Sequence, residues 1–297
     1  MPTRCNFSTG AGRAGGILYH GLRSWYNTCI ESGEIMVKDA GIDHGRAFDW
    51  GRTSPDYAKY RDIYPEAFYQ KILDLGLCAE GQDVLDIGTG TGVLPRNLYR
   101  HGARFTGIDS AENQIAQAAA LARAQGMEIA FRCVSAEAYG FPDGSFDVVT
   151  ACQCFTYFDH KILAPRLARL LKPGGRFAVL YMAWLPLEDA VAGASEELVL
   201  RFNPAWTGCG EVRRPIDVPA AYGDYFTTGR REVFDLRVPF TREGWHGRMK
   251  SCRGIGASLS DAEIARFDRE HRALLERLAP PEFEVLHYAA ITVLNRR

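Results

Sequence analysis

Seven residues, Asp86-Ile-Gly88-Thr-Gly90-Thr-Gly92, lie between a short apolar run and a helical pattern. In that setting glycines let backbone N–H groups come close to a nucleotide. Asp109 closes the next apolar run twenty-one residues after Gly88, a spacing that suits a carboxylate on ribose hydroxyls. A dinucleotide loop G-x-G-x-x-G read from Gly88 needs its third glycine where Val93 stands. Asp86, at the mouth of the loop, would repel a pyrophosphate and favour a ligand bearing an ammonium and a sulfonium. S-adenosylmethionine is such a ligand. The competing readings are a tight strand-to-helix turn with no ligand, and Asp86 as a cap that accepts backbone amides.

The elements that must position these residues alternate. The pattern predicts strands at 83–87, 104–108, 129–134, 146–151 and 176–182, with helices at 93–100, 111–125 and about 161–171. Ser110 is the expected cap of the second helix, and Pro173-Gly174-Gly175 the stop after the third. Strand-helix repetition at this spacing implies a parallel sheet with helices on both faces. A helical stretch from Phe48 to Leu75 precedes it. Residues 184–233 break the alternation with four prolines and a set of aromatics, as expected of a cap over a pocket. A strand at 232–240, helices near 245–253 and 261–278, and a strand at 283–294 complete the chain, giving a core over 36–183, a cap over 184–233 and closing elements over 234–297.

Four ordered blocks, VLDIGTGTG at 84–92, GIDSAENQIAQA at 107–118, AEAYGFPDGSFDVV at 136–149 and LLKPGGRF at 170–177, resemble class I S-adenosylmethionine-dependent methyltransferases. The resemblance is to the small-molecule group that includes ubiquinone and menaquinone C-methyltransferases and trans-aconitate methyltransferase, and it covers residues 48–182. It implies an α/β, Rossmann-like fold with a mostly parallel seven-stranded sheet whose last strand inserts antiparallel. It also implies that Gly88, Thr89, Gly90 and Gly92 pack on the methionine part of the cofactor and that Asp109 bonds the ribose. Ser110 and Ala136 would flank the adenine, Glu137 would lie near its exocyclic amine, and Ala151, Cys152 and Gln153 would pass close by. Tyr57 and Arg61 would close the site and meet the cofactor carboxylate.

Other residues keep two readings. Cys152 and Cys154 border the expected transfer site, yet free cysteines are commonly small buried hydrophobes and no metal set accompanies them. His246 is a candidate base or a surface histidine. Tyr157, with Phe155 and Phe158, is pocket wall or core, and is the other candidate for a catalytic role. Arg213, Arg214, Arg248 and Arg253 could hold an acidic substrate or face solvent.

The 35 Lys+Arg and 36 Asp+Glu in 297 residues give a net charge of −1, which provides no long-range field for nucleic acid. The longest apolar run, 177–185, is too short to span a bilayer. Eight scattered cysteines without a secretory signal fit a cytoplasmic protein with reduced thiols. Residues 1–35 show no periodicity and are expected to be disordered, or to precede a true start at Met36, since Gly33-Glu34 can be encoded by a purine-rich ribosome-binding sequence. The expected partner is a small-molecule methyl acceptor. A tRNA or protein methyltransferase, marked by a basic groove, and a non-catalytic cofactor-binding protein, marked by a filled acceptor side, are the alternatives.

Overall fold

The computed structural model describes residues 41–49, 52, 59–60, 62–138 and 140–297. Tyr57 and Arg61, the residues expected to close the site, lie outside them, as do residues 1–35. The elements run α1 (Glu66–Asp74), β1 (Asp83–Ile87), α2 (Val93–Leu98), β2 (Arg104–Asp109), α3 (Glu112–Ala124), β3 (Ala130–Cys133), β4 (Phe146–Cys152), α4 (His160–Leu170) and β5 (Leu171–Trp184). Then follow α5 (Ala190–Phe202), β6 (Phe226–Thr241), α6 (Arg242–Lys250), α7 (Asp261–Leu278) and β7 (Glu282–Arg296).

The seven strands form one sheet in the order β3-β2-β1-β4-β5-β7-β6. The pairings from β3 to β5 are parallel, while β7 lies antiparallel between β5 and β6. The chain leaves β1 toward β2 and β3 on one side, then crosses to β4 on the other side of β1. Next to β1 the strand order therefore reverses, and the crevice beyond the carboxyl ends of β1 and β4 is where such sheets take ligands. β1 is buried along nearly its whole length, as a strand covered on both faces must be. One buried cluster joins Phe68, Leu98 and Trp245, and a second joins Leu85, Leu167, Phe177 and Tyr222.

Three expectations are corrected. Ser110 is not the cap of α3: the N-cap is Ala111, and the Asp109 carboxylate accepts the Ala111 N–H at 2.9 Å. The nearer oxygen belongs to the strand end itself, so Ser110 is not needed there. β5 runs through Pro173-Gly174-Gly175, because Leu171 already pairs with Phe146 and a register shift absorbs the glycines. The 184–233 segment is not one cap. Its first part is α5, whose Phe202 packs edge-on against Phe267 of α7, and its last part belongs to β6. Only residues 203–225 between them lack α-helix and strand. Among the described residues no helix is long and apolar enough to cross a membrane.

Candidate active site

The crevice at the β1/β4 ends opens into a cavity of about 1710 Å³. A pocket for one small ligand spans about 300–1,000 Å³, so this one has room for two ligands side by side. One end is built from the loop after β1, the end of β2, the start of α3 and residues 134–137. The other is walled by Tyr181, Trp184, Trp206, Arg248, Arg253 and Tyr288.

At the first end Gly88 and Gly90 adopt φ of +63° and +56° and line the cavity. A Cβ on Gly88 would stand 2.7 Å from the Cys154 sulfur, so loop and β4 end pack without room for a side chain. The Gly90 N–H donates to the Asp109 carboxylate at 2.9 Å, fixing the loop to the end of β2. Burial raises the Asp109 carboxyl, against the pull of the backbone N–H groups of Ala111, Gly90 and Ser110. The Gly90 and Ala111 amides go to different oxygens, which leaves acceptor capacity toward the cavity for a ribose diol. Ser110, Ala136 and Glu137 line the same end. Glu137 accepts from the Ser135 hydroxyl and from the Asp159 N–H, and so ties this loop to the start of α4. Cys152 and Gln153 line the cavity from β4, with the Cys152 thiol 3.4 Å from the Tyr64 hydroxyl and the Gln153 amide donating to the Met182 carbonyl.

Four expected cofactor residues stand elsewhere. Asp86 is not at the mouth of the loop. It is buried beneath it and accepts the hydroxyls of Thr89 and Thr150, both at 2.6 Å, rather than backbone amides. Burial lifts its carboxyl to about 6 despite those two hydrogen bonds. Thr89 is turned down onto Asp86 and is buried. Gly92 caps α2 at φ +71°, where a Cβ would meet the Phe131 ring at 2.7 Å, so its task is packing. Ala151 is fully buried inside β4. None of the four borders the cavity.

Of the catalytic candidates, Tyr157 lines the cavity and accepts from Arg253 Nη1 at 2.9 Å. His246 is not a surface residue and does not border the cavity. It is buried between α6 and α7, 2.9 Å from the His271 ring and 2.8 Å from Asp268, and burial lowers its pKa. The arginines divide too. Arg213 pairs on the surface with Asp235 and Glu188, whereas Arg214, paired with Glu211, and Arg248, 4.8 Å over the Trp184 ring, line the cavity. Arg253 is held by Asp43 at 2.7 Å.

Asp43 and Glu211 escaped sequence reasoning. The Asp43 side chain is fully buried and bonds Arg253 and the Thr207 N–H. Glu211 accepts the hydroxyls of Tyr181 at 2.8 Å and Tyr288 at 2.9 Å. Asp43 meets partners 164 and 210 residues away and Glu211 partners 30 and 77 residues away, separations at which no local period marks either acid. Trp184 and Trp206 carried the one usable signal, the aromatic content of the proline-interrupted stretch 184–233.

The donor set fits S-adenosylmethionine. Among the described residues the loop after β1, the end of β2, the start of α3 and residues 134–137 contribute Asp109, Glu112 and Glu137, a balance that favours a cationic nucleoside over a pyrophosphate, while Lys161 lines the cavity from the start of α4. Residues 84–175 match the family model for a methyltransferase domain. The chain is 40% identical over 114 residues to a demethylmenaquinone methyltransferase of Thermus thermophilus, covering 37% of this chain and 52% of that one. It is 35% identical over 150 residues to a ubiquinone biosynthesis O-methyltransferase of Bradyrhizobium diazoefficiens, covering 50% and 58%. The chain thus spans about half the length of these curated relatives. The sheet order and the acidic glycine-loop end agree with this match, by which residues 84–175 are similar to a methyltransferase domain.

Proposed function

We propose that the protein transfers a methyl group from S-adenosylmethionine to a small organic acceptor bound at the aromatic end of the cavity. The observation that carries this reading is one cavity with two chemically distinct ends, acidic and glycine-lined at one, aromatic at the other. The cofactor supplies a methyl carbon already activated by a sulfonium. The chain's own task is then placement, and holding two reactants in register contributes roughly 7–11 kcal/mol.

Gly88, Gly90 and Asp109 would hold the cofactor, with Ser110, Ala136 and Glu137 around the base. Trp184 and Trp206, both buried, give the acceptor end apolar walls, and Thr207, Gly208 and Pro215 line the same cavity. Two relatives are a demethylmenaquinone methyltransferase and a ubiquinone biosynthesis O-methyltransferase, which agrees with an aromatic-walled site for a ring-bearing acceptor. The proposal includes action in the cytoplasm, in keeping with reduced thiols at Cys78, Cys133, Cys152, Cys154, Cys209 and Cys252.

The test incubates the full chain with methyl-labelled S-adenosylmethionine and a panel of small phenols, carboxylates, amines and thiols, with tRNA and a protein mixture alongside. Label entering a small molecule supports the reading. Label entering only tRNA or protein contradicts it.

A further inference from the structure

Tyr157 ends the short turn Phe155–Tyr157 that follows β4, so its side chain stands at the carboxyl edge of the sheet and on the cavity wall. Its oxygen accepts from Arg253 Nη1 at 2.9 Å. A guanidinium has donors only. The Tyr157 hydroxyl hydrogen therefore cannot serve this bond and must be turned elsewhere, while the oxygen is stabilised most when it carries negative charge.

Arg253 is itself fixed. Its Nε and Nη2 donate to the two Asp43 oxygens at 2.7 and 2.9 Å, and Nη2 also reaches the Thr207 hydroxyl at 3.2 Å. Asp43 is fully buried and takes the Thr207 N–H at 2.8 Å. Phe48 lies below, its ring 5.6 Å from the guanidinium carbon and 6.3 Å from the Tyr157 ring. Four separate points of the chain, residues 43–48, 155–157, Thr207 and Arg253, are thus spent on the orientation of one guanidinium at one phenol. Among the described residues the charged groups near Tyr157 include Arg253 after α6, Asp43 behind it, Asp49, Arg52 and Lys161 on the same cavity, and Asp159, which is turned back to cap α4 through the Lys161 N–H.

We propose that Tyr157 takes the proton of the methyl acceptor, with Arg253 as the positioning residue that holds its oxygen in the accepting state. The acceptor is accordingly a weak acid that must lose a proton at its reacting atom, such as a hydroxyl, and not a carboxylate or a thiolate, which need no such help. This rests on the methyl-transfer reading above. In the step, the proton of the acceptor goes to the Tyr157 phenolate oxygen, and the electron pair it leaves forms the bond to the methyl carbon. The pair of the broken sulfur–carbon bond stays on sulfur, and Tyr157 later returns its proton to water.

The test is a pH titration of the full chain labelled with ¹³C at the tyrosine ring carbon bearing the hydroxyl, with Tyr157→Phe assigning the signal. The inference predicts that Tyr157 ionises at least one pH unit below the usual value of about 10. Arg253→Gln should move that midpoint up by at least one unit, and Asp43→Asn, which removes the opposing carboxylate but keeps the guanidinium, should move it further down. Should Arg253→Gln fail to fold, the Asp43→Asn direction decides, and an upward or absent shift overturns the inference. A wild-type midpoint at or above about 10, or one indifferent to Arg253→Gln, also overturns it. Calorimetry of S-adenosylmethionine on the same wild-type sample separates the two readings. Binding with an ordinary Tyr157 overturns only this inference, whereas no binding overturns the methyl-transfer reading and this step with it.

Discussion

Asp86 and Asp109 both flank the glycine loop, yet one supports it from below and the other faces the cavity. Asp86 is a buried carboxylate one residue from the end of a central strand, and its two threonine partners link β1 to the loop and to β4. Its folded pKa of about 6 stands above the unfolded value of 3.8. A raised acid stabilises the fold below the unfolded pKa, and that stabilisation is lost as pH climbs from 3.8 through about 6. Asp86→Asn removes the ionisation while keeping the shape. It should raise the unfolding free energy at pH 7.5 by something on the order of 2 kcal/mol and flatten the change between pH 4 and 6.5, as read by urea denaturation. A variant that is less stable at pH 7.5 with an unchanged slope would show that the threonine bonds outweigh burial. The residue type and position of Asp86 were legible; its direction was not, because an acid one residue from the strand end can face either the crevice or the layer below. Asp109 was legible in both respects, since the end of the strand next to β1 leaves it only the crevice.

Elements with strong local chemistry matched the sequence reading closely, and α7 shows why. Ser260 accepts the Glu263 N–H while Glu263 reaches back to the Ser260 N–H, a reciprocal cap that fixes the helix start at Asp261, where the pattern placed it. Ser260→Ala should cost about 1 kcal/mol of stability and increase amide exchange in the first turn of α7. Unchanged exchange there would mean that packing of Phe267 and Leu275 sets the helix end instead. β1 was likewise legible to the residue, being a buried apolar run between turn signals. β6 was not: its first half is largely exposed and polar, and it is a strand because β7 pairs with it from Phe226 to Thr241. Long-range pairing of this kind leaves no period in the strand that receives it. The same holds for residues 203–225, where the cavity wall depends on Asp43 and Arg253 from opposite ends of the chain.

For the whole molecule, buried histidines set the response to acid. His287 is buried in β7 against Phe240, with its Nδ1 on the Val285 carbonyl and its Nε2 without a hydrogen-bond partner among the described residues. Burial depresses its pKa from 6.5 to about 4, and depresses His271 to about 3. A depressed histidine contributes stability that is present above pH 6.5 and is lost as pH falls through the folded value. Stability should therefore decline between pH 6.5 and 4, and His287→Leu should make that decline shallower in thermal melts across the range. Equal slopes in the two proteins would contradict this assignment.

The central claim, that the glycine-loop end is a site for an adenosyl cofactor and not for a dinucleotide, is tested most directly by calorimetric titration of the full chain with S-adenosylmethionine, S-adenosylhomocysteine and NAD, beside the Asp109→Ala variant. The account predicts micromolar binding of the two adenosyl ligands, a loss of at least tenfold in the variant, and no binding of NAD. Binding of NAD, or adenosyl affinity indifferent to Asp109, would contradict it.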